Sequence, residues 1–536
     1  MKNKQSKTFY ISSPLYYPSG AWHLGHSYTT VCCDALARFK RLAGYDTFYL
    51  TGTDEHGQKI ADKAKEAKVT PKEFVDGLTA SIKDLWSVLD IQYDKFIRTT
   101  DDYHIASVQK IFDTLYKQGD IYKGNYTGKY CTPCESFFAP AQLKEGNCPD
   151  CNRAVADFEE ECYFFKLSKY QDRIESLLKS GEFLLPDFRA KEMINNFIKG
   201  GLSDLAVSRA SVDWGVKVPF DQKHTVYVWI DALSNYINAL GYNGDEKGMK
   251  QFWGEGKEVV HMVGKEIVRF HTIIWPAILM ALGLDVPSTV FGHGWLLLEG
   301  DKMSKSKGNT ADPFYLIDRY GVDAVRYYLL REVQFGNDGA YSLEAFLTRI
   351  NADLVNTLGN LTKRTIAMVN QYFEGNAQGT MHSNAQGTMH SNAQGTMQNA
   401  QLMNEDKLLI ESIDSVFKRA EKHIDKLNCS LALEEIFELV SAANKYIDVT
   451  MPWVLNKEGK KDRLAVVLYN LLEAIRVSAN LLLPFIPAGA KRIFECLNLN
   501  VPNDFAAAKF DMNTIYKDMK DEILYKRIDI KKELEA

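Results

Sequence analysis

The order of elements near the N-terminus limits the fold of this 536-residue chain more than any other feature. Thr8–Ser12 reads as a short apolar strand that ends before Pro14, and a Gly-containing turn leads into a helical pattern over 25–43. A second apolar strand covers 46–51, and 53–57 turns polar where the chain leaves the sheet. Thr70-Pro71-Lys72-Glu73 is a capping box with Pro at the first helical position, so another helix starts there. Strand, helix, strand, helix predicts an α/β fold built on a parallel sheet, with ligands at the carboxyl ends of its strands.

The alternation breaks at 125–226, where short segments, turns and cysteine pairs replace it, and resumes at 259–263 and 289–291. That pattern predicts an insertion inside one sheet. Beyond about 345 the periodicity is helical, at 354–369, 406–427, 432–449 and 463–482, which predicts an all-α bundle. The expected organisation is a sheet in two halves (1–124 and 227–291), the insertion (125–226), a connecting region (292–345), a helical domain (346–500) and a helical tail (501–536). Asn-Ala-Gln-Gly-Thr-Met-His-Ser occurs at 376–383 and 384–391 and in part at 392–397. Its eight-residue period gives no apolar face and reads as a polar loop.

Charge narrows the function. Lys plus Arg is 64 and Asp plus Glu is 69, a net −5, which excludes a generally basic nucleic-acid binder but leaves room for a local basic path. No apolar signal core follows the N-terminal lysines, and the most apolar runs, 273–284 and 481–486, are too short or Pro-interrupted to cross a bilayer. A soluble cytoplasmic protein with no membrane partner is expected.

Nine cysteines in such a chain argue against a disulfide framework. Cys131-Thr132-Pro133-Cys134 and Cys148-Pro149-Asp150-Cys151 are two C-x₂-C pairs separated by 13 residues. Four thiolates at this spacing close a tetrahedral shell around one structural Zn²⁺ and leave no open position for a substrate. Cys32, Cys33, Cys162, Cys429 and Cys496 follow no ligand spacing and read as packing residues.

Two short motifs carry the chemistry. His23-Leu24-Gly25-His26 falls where a strand hands over to a helix, whose N-terminal N–H groups suit a phosphate. Lys302-Met303-Ser304-Lys305-Ser306, followed by Lys307-Gly308-Asn309, forms a cationic loop with hydroxyl donors. Alone, each motif is commonly a surface feature. Together they resemble the two signatures of class I aminoacyl-tRNA synthetases. Ser13-Pro14-Leu15-Tyr16-Tyr17-Pro18-Ser19-Gly20, Asp54-Glu55-His56-Gly57, Tyr227-Val228-Trp229-Ile230-Asp231-Ala232 and Gly264-Lys265-Glu266-Ile267-Val268-Arg269-Phe270-His271 are similar to the methionyl branch of that class. The likeness runs from about residue 8 to about 530.

The resemblance implies a Rossmann-like catalytic domain with a zinc-bearing insertion, followed by an anticodon-binding helix bundle. It implies ligation of L-methionine to tRNA(Met), the initiator included, through a methionyl-adenylate, with Mg²⁺ accompanying ATP. His23, His26, Lys302 and Lys305 become the catalytic set, and Gly25, Met303, Ser304 and Ser306 join them around ATP. Leu15, Tyr17, Asp54, Trp229, Ala232, Tyr236 and His271 become the methionine site. Asp54 suits an α-ammonium, and Trp229 and Tyr236 offer polarizable walls to a thioether. Pro14 stands where many relatives have a smaller residue.

Asn356, Asn360 and Arg364 recur at i, i+4 and i+8, which places them on one α-helical face, and Trp453 follows Pro452. A polar stripe and a lone Trp are ordinarily a solvated face and a core anchor. The resemblance assigns these four to the CAU anticodon, a role for which paired amide bonds and base stacking are suited. The C-terminal dimer-forming domain of many bacterial relatives has no counterpart after Ile523-Leu524-Tyr525-Lys526-Arg527-Ile528-Asp529, so a monomer is expected. Two alternatives stand beside this reading. Another class I synthetase is disfavoured because the insertion is too small for the editing domain of the leucine, isoleucine and valine enzymes, and a Cys₄ set differs from the open zinc site of the cysteine enzyme. A non-catalytic tRNA-binding paralogue conflicts with two intact ATP signatures.

Overall fold

The computed structural model describes residues 7–131, 136–138, 143–149, 152–298, 301–302, 311–333, 336–377 and 402–535. Met303, Ser304, Lys305, Ser306, Cys134, Cys151 and most of the octapeptide repeat lie outside the described residues. The chain divides into two compact units, one within 1–33, 45–295 and 303–311, the other within 34–44, 296–302 and 312–536.

The first unit is organised by a six-stranded parallel sheet in the order Lys95–Arg98, Asp46–Thr53, Thr8–Ser12, Glu258–Gly264, Thr289–His293, Leu184–Leu185. Phe9, Tyr10 and Ile11 are wholly buried, as in a strand covered on both faces, where apolar runs replace alternation. Thr8–Ser12 lies between Asp46–Thr53 and Glu258–Gly264, both of which follow it in the chain, so the strand order reverses there. The capping box at Thr70 is formed: Thr70 Oγ1 accepts the Glu73 N–H (3.2 Å) and Glu73 Oε2 accepts the Thr70 N–H (2.9 Å).

The segment between the sheet halves builds its own strands. Ser136–Phe138, Ile121–Cys131, Ala156–Phe165 and Leu205–Ala206 form an antiparallel sheet, and Lys217–Val218, Asp221–Val226 and Ser208–Arg209 form another. One piece of this segment, Leu184–Leu185, instead pairs with Thr289–His293 and closes the edge of the parallel sheet. Two residues are too few to show a period, so the sequence pattern gives no sign of it.

The second unit holds the helices Asn404–Ile424, Cys429–Thr450, Lys461–Leu482 and Pro487–Cys496 with Val322–Arg331. Lys461–Leu482 is long and apolar enough to cross a membrane by composition, but 94% of its apolar window is buried inside the protein. It is a core helix. The predicted helix 354–369 is part of a longer run, Leu343–Arg349, Ile350–Gly359 and Asn360–Phe373, whose middle section is π-wound. Thr357 Oγ1 bonds the Ala352 carbonyl five residues back, and Asn444 Nδ2 reaches the Thr357 carbonyl (3.2 Å).

Asp34 and Arg326 pair at 2.7 Å with no exposure on either, and Arg38 Nε adds a second contact to Asp34 at 2.7 Å. Arg326 also donates to the carbonyls of Phe485 and Pro484. Arg38 would still neutralise Asp34 if Arg326 were lost, whereas removing Asp34 takes one carboxylate from two buried guanidinium groups at a cost of about 3–5 kcal/mol. Asp34→Ala is therefore expected to destabilise the helical unit by about that much in guanidinium unfolding, and a loss under about 1 kcal/mol would show that the cluster is solvated.

Candidate active site

Three consecutive strands of the sheet deliver the site at their carboxyl ends. After Thr8–Ser12 the chain continues alongside the second strand: the Tyr16 N–H bonds the Gly52 carbonyl and the Asp54 N–H bonds the Tyr16 carbonyl, each at 3.0 Å. Leu15 and Tyr17 thus flank the position from which Asp54 emerges. The short helix Val228–Leu233 brings Trp229 and Ala232, and the segment after Glu258–Gly264 brings Ile267 and His271.

These residues line one cavity of about 270 Å³. All seven side chains assigned to methionine, Leu15, Tyr17, Asp54, Trp229, Ala232, Tyr236 and His271, are in its wall. Pro14, Lys59, Val228, Leu233, Asn235 and Ile267 complete it. The sequence reading left these out of the site, although most adjoin a motif residue. Lys59 Nζ stands 5.3 Å from the centre of the Tyr17 ring.

The aromatic wall is held in one arrangement. Trp229 stacks on Phe270 with centroids 3.5 Å apart and planes 8° from parallel. His271 donates from Nδ1 to the Ile267 carbonyl (2.9 Å), because a carbonyl can only accept. Its Nε2 therefore accepts from the Tyr236 hydroxyl at 2.7 Å. Behind them, Tyr236 stacks on His261 at 4.0 Å. His261 takes the Trp275 N–H on Nε2 (3.2 Å), so its Nδ1 donates to Ser12 Oγ (2.8 Å). Burial pushes His271 down to about 4 and holds His261 well below the usual imidazole range. Both rings are neutral at pH 7. His271 also sits in a π-wound turn, Phe270–Ile274, a local widening common at functional sites.

The turn carrying Asp54 is fixed by its neighbours. Glu55 is fully buried and accepts from Thr53, Thr79 and Arg98 Nε, each at 2.7 Å, and from Thr100 at 2.5 Å. His56 bonds Asp231 across the unit at 2.6 Å, and Asp231 bonds His104 at 2.8 Å. Burial raises the Asp231 pKa, but the two imidazoles overcome it and hold the carboxyl at about 2.

The helix Leu24–Leu42 begins directly after His23. His26 Nδ1 accepts the His23 backbone N–H (3.2 Å), leaving Nε2 to carry the proton in the neutral ring. The two rings lie 3.9 Å apart, and a Cβ on Gly25 would meet the His23 ring at 3.1 Å. The Leu24 N–H bonds the carbonyl of Ala311, the first described residue after the lysine-rich run, at 3.1 Å. Of the lysine run itself, only the Lys302 backbone is described, paired as a short strand with Leu297. Tyr16 links this helix to the cavity: its ring packs edge-on to His26 at 5.8 Å.

Cys131 and Cys148 are buried in one small cluster with Leu143 and Val155. Among the described residues no group of three or more His, Cys, Asp or Glu is placed to hold a metal, and the other two cysteines lie outside that set. In the helical unit Asn356 and Asn360 are exposed, Arg364 is half-buried, and Trp453 is 44% exposed on the first turn of Pro452–Lys457. The expected regular α-helical stripe is corrected in one respect. Asn356 lies in the π-wound section, so the step to Asn360 passes through a wider turn than α-helical spacing assumes.

Comparison with known proteins agrees with this geometry. A family model described as tRNA synthetases class I (M) matches residues 9–162 and 155–366, and one for the anticodon binding domain of methionyl tRNA ligase matches 397–532. The methionine–tRNA ligase of Caldanaerobacter subterraneus subsp. tengcongensis is 55% identical over 536 residues, covering 98% of this chain and 80% of that protein. That of Clostridium tetani is 52% identical, covering 99% and 80%. The solved structure of Mycobacterium tuberculosis methionyl-tRNA synthetase in complex with methionyl-adenylate superposes with a TM-score of 0.89 at 38% identity, covering 97% of this chain and 100% of that one.

The depressed His271 pKa has a stability consequence with a definite sign. Between about 6.5, the ordinary value, and about 4, the unfolded chain binds a proton that the folded chain refuses. Stability contributed by this residue is therefore complete above about 6.5, falls as the pH drops, and is lost below about 4, a change of about 3 kcal/mol. His271→Gln is expected to flatten that part of the stability-against-pH curve, measured by urea unfolding between pH 4 and 7.

Proposed function

The chain belongs to the methionyl-tRNA synthetase family, and from that membership we propose which of its residues carry each step of its reaction. It ligates L-methionine to tRNA. The methionine carboxylate attacks the α-phosphate of ATP and expels pyrophosphate; a terminal ribose hydroxyl of the tRNA then attacks the adenylate carbonyl and expels AMP. Neither step needs a protein nucleophile. The work is positioning, together with stabilisation of charge on phosphate oxygens.

The observation that carries the assignment is the single cavity that joins Asp54 to a neutral aromatic wall beside the His23–His26 helix start. In our reading Asp54 accepts from the α-ammonium as a charge-assisted pair, and Trp229, Tyr236 and His271 enclose the thioether, with Leu15, Tyr17 and Ala232 shaping the slot. The Tyr236 proton is committed to His271, so that hydroxyl presents lone pairs rather than a donor. His23 and His26, with Gly25 permitting close approach, contact the nucleotide. Lys302 and Lys305 neutralise the departing pyrophosphate, and Met303, Ser304 and Ser306 join them around ATP. Mg²⁺ enters with ATP. Asn356, Asn360, Arg364 and Trp453 read the anticodon of tRNA(Met), initiator included, and the work is done in the cytoplasm.

Pyrophosphate exchange separates these roles from tRNA charging. Lys305→Ala is expected to lower methionine-dependent exchange about 10²–10³-fold with methionine affinity unchanged. Trp453→Ala is expected to lower charging about tenfold, the loss of one stacked base, with exchange unchanged. Exchange supported by another amino acid and not by methionine would overturn the assignment of the cavity.

We further propose that Cys131, Cys134, Cys148 and Cys151 hold one structural Zn²⁺. The donor chemistry fits, since two of the four thiols are already buried together and the cluster around them is too small to hold the segment by packing alone. A bound ion would supply a cross-link and no catalysis. Metal analysis is expected to find about one zinc per chain, and Cys131→Ser is expected to lose it and to expose 121–165 to limited proteolysis. A full-length protein without zinc would remove the assignment.

A further inference from the structure

The helix that carries Trp229 and Ala232 is held by its neighbours more than by its own length. Val228–Leu233 has no side-chain cap and runs through Ser234 into the short helix Asn235–Asn238, a segment still below the length of about 12–15 residues at which a helix is stable by itself. Its fully buried anchor is Asp231, between the two cavity residues. One carboxylate oxygen of Asp231 bonds His56 Nδ1 (2.6 Å), two residues beyond Asp54; the other bonds His104 Nε2 (2.8 Å). His104 belongs to the helix Asp102–Lys117 and takes no part in lining the cavity.

The chain of bonds continues behind His104 and fixes its proton. Asn238 Nδ2 donates to His104 Nδ1 at 3.1 Å, so Nε2 is the protonated nitrogen that faces Asp231. Asn238 Oδ1 in turn accepts from Ser107 Oγ at 2.6 Å. Ser107, Asn238, His104, Asp231 and His56 are all buried. Apolar packing would tolerate a small roll of so short a helix. Two hydrogen bonds of fixed direction from two different elements do not.

We propose that His104 is a positioning residue for the amino-acid substrate: through Asp231 it sets the separation between the Asp54 turn and the Trp229–Ala232 wall. This rests on the reading of the cavity as the methionine site. Loss of the His104 bond frees one end of Asp231, and the wall it carries can then shift to admit a longer side chain.

The test uses the full chain in pyrophosphate exchange with methionine and with ethionine, one methylene longer. The readout is the ratio of the two kcat/KM values, which does not depend on the fraction of protein folded. One methylene in a fitted pocket is worth about 10–200-fold. His104→Ala is expected to lower the ratio about tenfold and to raise the KM for methionine with the KM for ATP unchanged. His104→Gln, which restores an N–H donor toward Asp231, is expected to recover most of the ratio. An unchanged ratio in His104→Ala, or equal damage in both variants, would overturn the proposal. Should His104→Ala not fold, Ser107→Ala reads the same chain two bonds behind His104, through Asn238, and an unchanged ratio there also overturns it. Ala232→Val reports on the cavity itself. If it leaves methionine kinetics untouched, the cavity reading fails; if it acts while His104→Ala does not, only the relay fails.

Discussion

A parallel sheet whose order reverses at Thr8–Ser12 leaves the carboxyl ends of its central strands facing a crevice, and the whole site hangs from that geometry. Ser12 pairs with Leu50 on one side and His261 on the other. Adjacent strands lie about 4.7–4.9 Å apart, so the segments leaving them meet within side-chain reach without any long loop. Leu15 and Tyr17 follow the first strand, Asp54 the second, and Ile267 and His271 the third. Backbone pairing sets these distances before any side chain packs.

What the sheet leaves undetermined, buried polar groups fix. Glu55 and Asp231 are carboxylates with no exposure, a costly placement unless every lone pair finds a donor. Glu55 is met by three hydroxyls and Arg98; Asp231 is met by two imidazoles. Both attach to the same four-residue turn, Glu55 directly and Asp231 through His56. Asp54 is therefore presented from a turn tied on one side to the strand Lys95–Arg98 and on the other to the helix under Trp229. Removing either tie leaves a buried charge as well as a loose turn.

The sequence was legible where chemistry is concentrated in short motifs. The alternation of strands and helices, the capping box at Thr70 and the helical periodicity of the second unit could be read from local spacing, and seven of the thirteen residues lining the cavity from resemblance; Pro14, Lys59, Val228, Leu233, Asn235 and Ile267 could not. Other features depend on partners far apart along the chain. Leu184–Leu185 is a strand only because Thr289–His293 lies open beside it. Nothing local distinguishes His104 from any buried helical His until Asp231 is folded against it. The π-wound section at Ile350–Gly359 was also invisible, because its apolar pattern reads equally as α and the Asn444 side chain that bonds one of its carbonyls, that of Thr357, comes from a distant helix.

With the cavity taken as the proposed methionine site, its charge balance favours a neutral substrate side chain. Asp54 and Lys59 are the charged groups in the wall, opposite in sign to the ammonium and carboxylate that every α-amino acid brings. The remaining lining is neutral, and it stays neutral because burial keeps His271 unprotonated far below pH 7. A charged side chain entering there would lose its water and gain no counter-charge, a penalty that a thioether does not incur. A branched aliphatic side chain escapes that penalty and is sorted instead by shape, against a ring pair locked through Tyr236, His271 and His261. Exclusion by charge and exclusion by shape thus rest on the same buried imidazoles: held neutral, they remove the counter-charge, and held by hydrogen bonds, they keep the wall from yielding.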